Sequence, residues 1–293
     1  MMDWDAKARA QLSRPGDLAQ DFCLWPYDPP RAPSDDALRS VALLYKSFDG
    51  AGLGPEMAAL TDAIRDTWGR FATVWGMKWS AAGPSWEFYF YDYARAHRRL
   101  GIGDFLKATA PWLNCALTPD DSLPYFMFSV EIASQHLAGA PLDQIDIYMG
   151  NPGSNVSSGI CYGLTQAGYE MRNFYFFFDA QREAQQIHDK LTESIYLPLA
   201  KVNVTDLLWP EMAGVQTVVV ANKQRRDGLY FSRIRAAQLA HFLQKQDFPA
   251  ALQGFLAENH DALDHHLYDV GWDFACDADG RVHPVKGSFY GLL

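Results

Sequence analysis

The chain has 293 residues, 48% of them hydrophobic and 20% charged, and a formal net charge of −10. That balance belongs to a globular protein with an ample core. It argues against a general binder of nucleic acid or anionic membrane, since both need a basic surface.

The N-terminus, MMDWDAKARAQLSRPGD, is too charged for a secretory leader, and no apolar run is long enough to span a bilayer. Cys23, Cys115, Cys161 and Cys276 lie far apart without a CxxC pair. We therefore expect reduced thiols in a cytosolic protein, in which the sequons at Asn155 and Asn203 carry no meaning. Residues 1–34 look like an N-terminal arm, with a first helix over Ala6–Leu18 and an irregular Trp25-Pro26-Tyr27-Asp28-Pro29-Pro30. Residues 35–293 read as one further unit without an internal linker.

A helix capped at Ser34-Asp35-Asp36 runs toward Phe48, and another from Pro55 to Gly69 carries Met57, Leu60, Ile64 and Trp68 at helical spacing. The glycine-rich stretch between them, Asp49–Pro55, follows no strand and precedes no Lys-Ser/Thr, so it reads as a loop. Phe71–Trp79 and Trp86–Tyr93 then form a hairpin about Ala81-Ala82-Gly83-Pro84. In its second strand Trp86, Phe88 and Phe90 share one face, and Glu87, Tyr89 and Tyr91 the other.

A helix over Ala94–Ala108 is followed by Tyr125–Glu131, which alternates as a strand but also fits a helix running to Leu137. Three strands are expected next, at Gln144–Gly150, Ser157–Thr165 and Asn173–Asp179. In the first, Ile145, Ile147 and Met149 oppose Gln144, Asp146 and Tyr148. One dry face and one face of phenols and carboxylates suit a sheet wrapped around a ligand-sized space.

The remaining pattern is a helix over Ala180–Ile195, a hairpin from Val215–Asn222 and Leu229–Ile234, a helix over Arg235–Leu256 broken at Pro249, and a closing hairpin from Leu267–Cys276 and Arg281–Tyr290. Lys286, Ser288 and Tyr290 share a face of the last strand. The sum is an α+β fold with up to ten antiparallel strands separated by helices and no βαβ rhythm. Ten strands suffice to close a barrel with a polar-aromatic, solvent-filled lumen, although alternation defines faces and not closure.

The order of elements resembles the aromatic prenyltransferases of the ABBA type. The segment VQTVVVANKQRRDGLYFSRIRAAQL, Val215–Leu239, is similar to that family's hairpin with a basic turn, a Leu-Tyr-Phe-Ser and a helix. The closing hairpin, VGWDFACDADGRVHPVKGSFYG, which includes Trp272, is a second likeness in shape.

The resemblance implies a closed barrel of αββα repeats with its active site inside. It also implies a prenyl diphosphate co-substrate held by inward lysines and arginines, tyrosines that shield an allylic cation, and an acid that takes a proton from an aromatic acceptor. Tyr230 carries over from the Leu-Tyr-Phe-Ser segment, while the neighbouring inward position is Gly228, where the family can have a polar residue.

The residues can be read for the same chemistry. Breaking an allylic carbon–oxygen bond needs cations or metal for the departing diphosphate, together with a dry pocket whose aromatic faces stabilise the carbocation. Candidates for the aromatic wall are Tyr89, Tyr91, Tyr148, Tyr162, Tyr175, Tyr230, Trp272 and Tyr290. Strands favour tyrosine in any case, so recurrence over several strands is what gives the pattern meaning.

Candidates for the diphosphate are Lys78, Lys223, Arg225 and Lys286, with Arg226 beside them, and Lys286 is the best placed. Turn cations such as Arg225 are as readily solvated. For the base we expect Glu87, with Glu131 and Asp146 behind it, since burial raises a carboxylate's proton affinity. The same Glu87 also suits a pairing with Lys78 across the hairpin.

No metal ligand set is expected: Asn259-His260-Asp261 with Asp264-His265-His266 matches no standard site. There is no DDxxD, so the sequence leaves Mg²⁺ open. The expected partners are a prenyl diphosphate and an aromatic small molecule or peptide. The alternative is a non-catalytic barrel for a bulky pigment or lipid, which would need no inward cations.

Overall fold

The computed structural model describes residues 2–154 and 156–293, so the sequon asparagine at 155 lies outside the described residues. The chain begins with helices α1 (Trp4–Arg9), α2 (Val41–Asp49) and α3 (Pro55–Trp68). The first hairpin is β1 (Thr73–Ser80) and β2 (Gly83–Tyr91), followed by α4 (Ile102–Thr109), β3 (Met127–Ile132), the single turn α5 (Ser134–Leu137) and β4 (Ile145–Gly150). β5 (Ser158–Thr165) and β6 (Gly168–Asp179) precede α6 (Ala184–Thr192) and the hairpin β7 (Thr217–Lys223) and β8 (Asp227–Ile234). Helices α7 (Ala236–Lys245), α8 (Ala250–Glu258) and α9 (His260–Leu263) lead to β9 (Tyr268–Cys276) and β10 (Val282–Leu292).

Each strand pairs antiparallel with its sequence neighbours, and β10 returns to pair with β1, opposite which Tyr290 faces Gly76. The ten strands thus form a closed barrel. Closure leaves no unpaired edge, which removes the usual route to edge-to-edge association. Helices cover the outside: α2 lies on β1 and β10, α3 on β1 and α4, α6 on β6 and β7, and α7 on β9. Between β4 and β5 the described residues form turns instead of a helix.

The outer face of the strands forms the main core under the helices. Trp75, Trp86, Phe88 and Phe128 are almost wholly buried there, and Phe90 stacks on Phe128 with ring centroids 4.5 Å apart. Each such side chain contributes about 1.5–3 kcal/mol by leaving water, so the outer layer, more than the lumen, holds the barrel shut. The inner face carries a second apolar cluster around Val74, Tyr89, Met127, Tyr148, Cys161, Tyr290 and Leu292.

Several elements differ from the expectations for local reasons. The first helix stops at Arg9, because Ser13-Arg14-Pro15-Gly16 turns the chain soon after it. Ser34 bonds the Asp36 carboxylate at 2.7 Å and shapes a turn, so the second helix begins later, at Val41. The stretch after β2 is looped because Asp92 accepts from the backbone N–H groups of Ala94 and Arg99, each at 2.9 Å. Helix α4 starts only at Ile102, where Asp121 takes the Ile102 and Gly103 N–H groups at 3.0 Å. The segment that fits either strand or helix near residue 127 is a strand, held between β2 and β4.

Candidate functional site

The lumen is layered along the barrel axis, and strand parity decides which residues enter it. At one end lie charges: Lys78 on β1, Glu87 on β2, Glu131 on β3, Asp146 on β4, Lys223 on β7, Asp273 on β9 and Lys286 on β10. The middle is a belt of hydroxyls formed by Tyr89, Ser129, Tyr148, Tyr175, Tyr230, Ser288 and Tyr290. The far end is apolar, with Tyr91, Met127, Phe177 and Val219 around a cavity of about 80 Å³.

Glycines make room for the belt. A Cβ on Gly76 would meet the Tyr290 ring at 2.7 Å, and one on Gly271 would meet the Tyr230 ring at 2.1 Å. Both positions therefore demand the one residue without a side chain, and the phenols lie flat against the opposite strand where another residue would project. Tyr148, Tyr175 and Tyr230 form one wall, with successive ring centroids 6.0 and 6.2 Å apart. Tyr89 and Tyr290 form another, at 5.8 Å.

Burial pushes the phenol pKa values of Tyr89, Tyr148, Tyr175, Tyr230 and Tyr290 upward. They remain neutral hydrogen-bond donors at ordinary pH.

The charged end is an interleaved set of lysines and carboxylates. Lys78 bridges Glu87 and Glu131, the latter at 2.5 Å. Lys223 lies 2.5 Å from Asp273 and donates to the Tyr230 hydroxyl at 3.0 Å. Burial pulls down on both ammonium groups, but their carboxylate partners outweigh it and raise them. Lys286 is the exception. Its nearest carboxylate, Asp273, is 3.5 Å away, and Lys78, burial and Lys223 together lower its pKa. Its side chain is also the most open of the three, 32% exposed against 11% for Lys78 and 12% for Lys223.

Glu87 is 3% exposed and fully engaged. Besides Lys78 it accepts hydrogen bonds from the Tyr89 hydroxyl at 2.5 Å and from Ser129. Burial and the neighbouring Glu87 charge push Asp146 up to about 6, whereas Lys78 and Lys286 overcome burial and hold Glu131 down at about 2. A cavity of about 270 Å³, lined by Glu131, His136, Asp143 and Asp146, reaches Glu87 from this end. Another of about 370 Å³ lies outside the lumen, between the arm and His265–Leu267, and its Arg39 is already paired with Asp17 at 2.7 Å.

Three sequence candidates fall elsewhere. Trp272 points outward and packs on Trp209 with centroids 4.8 Å apart, because on β9 it is Asp269, Gly271 and Asp273 that have inward parity. Tyr162 likewise joins the outer core, since its neighbours Cys161 and Gly163 take the inward places on β5. Arg225 is exposed at the β7–β8 turn, beyond the end of the ladder. Tyr91 is inward but sits at the apolar end, away from the lysines.

The sequence reading missed Asp273 and Phe22. Asp273 carried a period-two signal, since Asp269, Gly271 and Asp273 alternate with Val270, Trp272 and Phe274. Phe22 carried none, because it comes from the irregular arm and plugs the apolar mouth, 5.0 Å from the Tyr290 ring. At this end phenols and Phe22 line the cavity.

Fold and site together define a closed up-and-down barrel whose lumen passes from inward ammonium groups through phenols to an apolar end. No family model matches the chain, and no curated protein matches it either. Among the described residues no group of three or more His, Cys, Asp or Glu side chains is placed to hold a metal ion, and no helix is long and apolar enough to cross a membrane.

Proposed function

We propose that the chain is an aromatic prenyltransferase acting inside the lumen, with a prenyl diphosphate as donor and an aromatic small molecule or peptide residue as acceptor. The observation that carries this reading is the juxtaposition of three inward lysines with a belt of neutral phenols. A diphosphate seated on Lys286, Lys223 and Lys78 would direct its hydrocarbon into the belt and toward the apolar end. The acceptor would enter through the opening beside Glu131 and Asp146.

In the reaction the C1–O bond of the donor breaks and its electron pair leaves with the diphosphate, whose charge the ammonium groups take up. The allylic cation is stabilised by the ring faces of Tyr89, Tyr148, Tyr175, Tyr230 and Tyr290. An electron pair of the arene closes the new bond to C1, and the displaced arene proton passes to Glu87. Lys78 pairs with Glu87, and Tyr89 and Ser129 orient its carboxylate. Mg²⁺, where required, would accompany the diphosphate. Such a protein would work in the cytosol.

The second reading, a barrel that only carries a bulky pigment or lipid, leaves the lysines only their pairings with Glu87, Glu131 and Asp273. Incubation with dimethylallyl or geranyl diphosphate and a panel of indoles, phenols and Tyr- or Trp-containing peptides, read by mass, tests the proposal. Prenylated product that disappears in Lys286→Met supports it. Diphosphate release at the Glu87→Gln level, without product, overturns it.

A further inference from the structure

The apolar end of the lumen is closed by a group that does not belong to the barrel. The cavity there is about 80 Å³. Phe22 lines it, with its ring centroid 5.0, 5.9 and 6.1 Å from those of Tyr290, Tyr89 and Tyr91.

Phe22 rides on a small hairpin of the arm, closed by the Gln20–Pro26 bridge and by an Asp21 N–H to Trp25 carbonyl bond of 2.9 Å. Asp21 organises this hairpin, since its Oδ1 accepts the Cys23 and Trp25 N–H groups at 3.0 and 2.9 Å. Its other oxygen pairs with the Arg233 guanidinium at 2.8 Å. Asp269 completes the attachment, taking the Phe22 N–H at 2.8 Å and the Arg233 N–H at 2.9 Å.

The attachment is strained on both sides. Leu24 in the hairpin has φ 58° and Arg233 has φ 63°, the left-handed region that side chains other than glycine rarely adopt. Arg233 lies where the β8–β9 register slips between Phe231 and Ile234. Moving a strand phenol would disturb ladders on both flanks. Lifting the hairpin breaks a few side-chain contacts and leaves the barrel intact.

We propose that the hairpin Gln20–Pro26 is a removable stopper and that Phe22 holds the place taken by the end of a ligand's hydrocarbon chain. The arm, more than any strand, then limits the chain length the lumen admits. The inference rests on reading the lumen as a hydrocarbon site, and it does not require transfer chemistry. Asp21, Arg233 and Asp269 are positioning residues that set how readily the stopper lifts.

The test uses the full chain and uncharged n-alcohols, which need neither lysines nor turnover. Binding of pentan-1-ol, decan-1-ol and dodecan-1-ol is followed by calorimetry in the parent protein and in Phe22→Ala. The expected result is a gain of about ten-fold or more for the two longer alcohols and little change for pentan-1-ol. In Arg233→Gln, association should quicken for every length while the preference among lengths stays put.

Equal length dependence in the parent and Phe22→Ala would overturn the proposal, and so would binding of no alcohol by either. If Phe22→Ala does not fold, Phe22→Leu replaces it, with an intermediate shift expected and no shift counting against the idea. Turnover of dimethylallyl diphosphate is scored separately. A parent that makes no product, beside a Phe22 variant with the altered length dependence, sinks the transferase reading and leaves the stopper standing.

Discussion

Gly271 and Tyr230 face each other across the β8–β9 ladder, and the tyrosine ring lies where a Gly271 side chain would have to be. The ring also accepts its place from the other side, through the 3.0 Å bond from Lys223. Gly271→Ala should therefore cost about 1–3 kcal/mol, as overpacking does. Combined with Tyr230→Ala, the double variant should lose less than the sum of the two singles. Urea unfolding of the four proteins checks this, and strict additivity would mean that ring and glycine are independent.

Lys286 is a cation among cations, and its lowered pKa fixes the sign of its effect. In the unfolded chain it binds its proton more tightly, so at neutral pH its charge works against folding. Lys286→Met should raise the melting temperature while weakening diphosphate binding by about ten-fold or more. Calorimetry with inorganic diphosphate, beside thermal melts of both proteins, reads the two effects. A variant that loses both stability and binding would contradict the assignment.

Asp146 gives a pH signature. Its ordinary value is 3.8 and burial beside Glu87 raises it to about 6. Between those values the folded protein binds more protons than the unfolded one, so this group's contribution falls as pH rises through the window and is level above it. Asp146→Asn should gain on the parent from pH 4 to pH 7, by at most about 3 kcal/mol and by less where water reaches the carboxylate. Denaturation midpoints at several pH values test it; a constant difference would show that the carboxylate is not perturbed.

Glu87 is held by Lys78, Tyr89 and Ser129. Under the proposed mechanism Glu87→Gln should lower kcat by about 10²–10⁴-fold, the usual contribution of a positioned base. It should leave diphosphate binding equal or tighter, because Lys78 is partly released. A loss confined to KM would reassign Glu87 to binding.

Much of this arrangement was legible because strands carry a two-residue rhythm. The Glu87-Tyr89-Tyr91 face, the Asp146-Tyr148 face and the Lys286-Ser288-Tyr290 face were each readable within one strand. What the rhythm lacks is depth: it placed Tyr91 among the inward phenols without showing that it lies at the far end from Lys286. It also says nothing about which strands meet, so the pairing of Lys223 with Asp273, 50 positions apart, had no local signal.

Trp272 and Tyr162 share the aromatic type of the inward phenols, but their small or acidic neighbours hold the inward parity. The glycines opposite Tyr230 and Tyr290 would have been informative only with the register in hand. Phe22 lay beyond reach because its position depends on where an irregular segment comes to rest.

The exchange of bulk between Gly271 and Tyr230, and between Gly76 and Tyr290, has an evolutionary corollary. Ring and hollow occupy adjacent strands, so sequence change at one should be answered at the other, with a small residue arising at 230 or 290 wherever 271 or 76 gains atoms. The interior could then be remoulded for guests of different outline one pair at a time, while hydrogen-bonding partners around the staves of the cask never change.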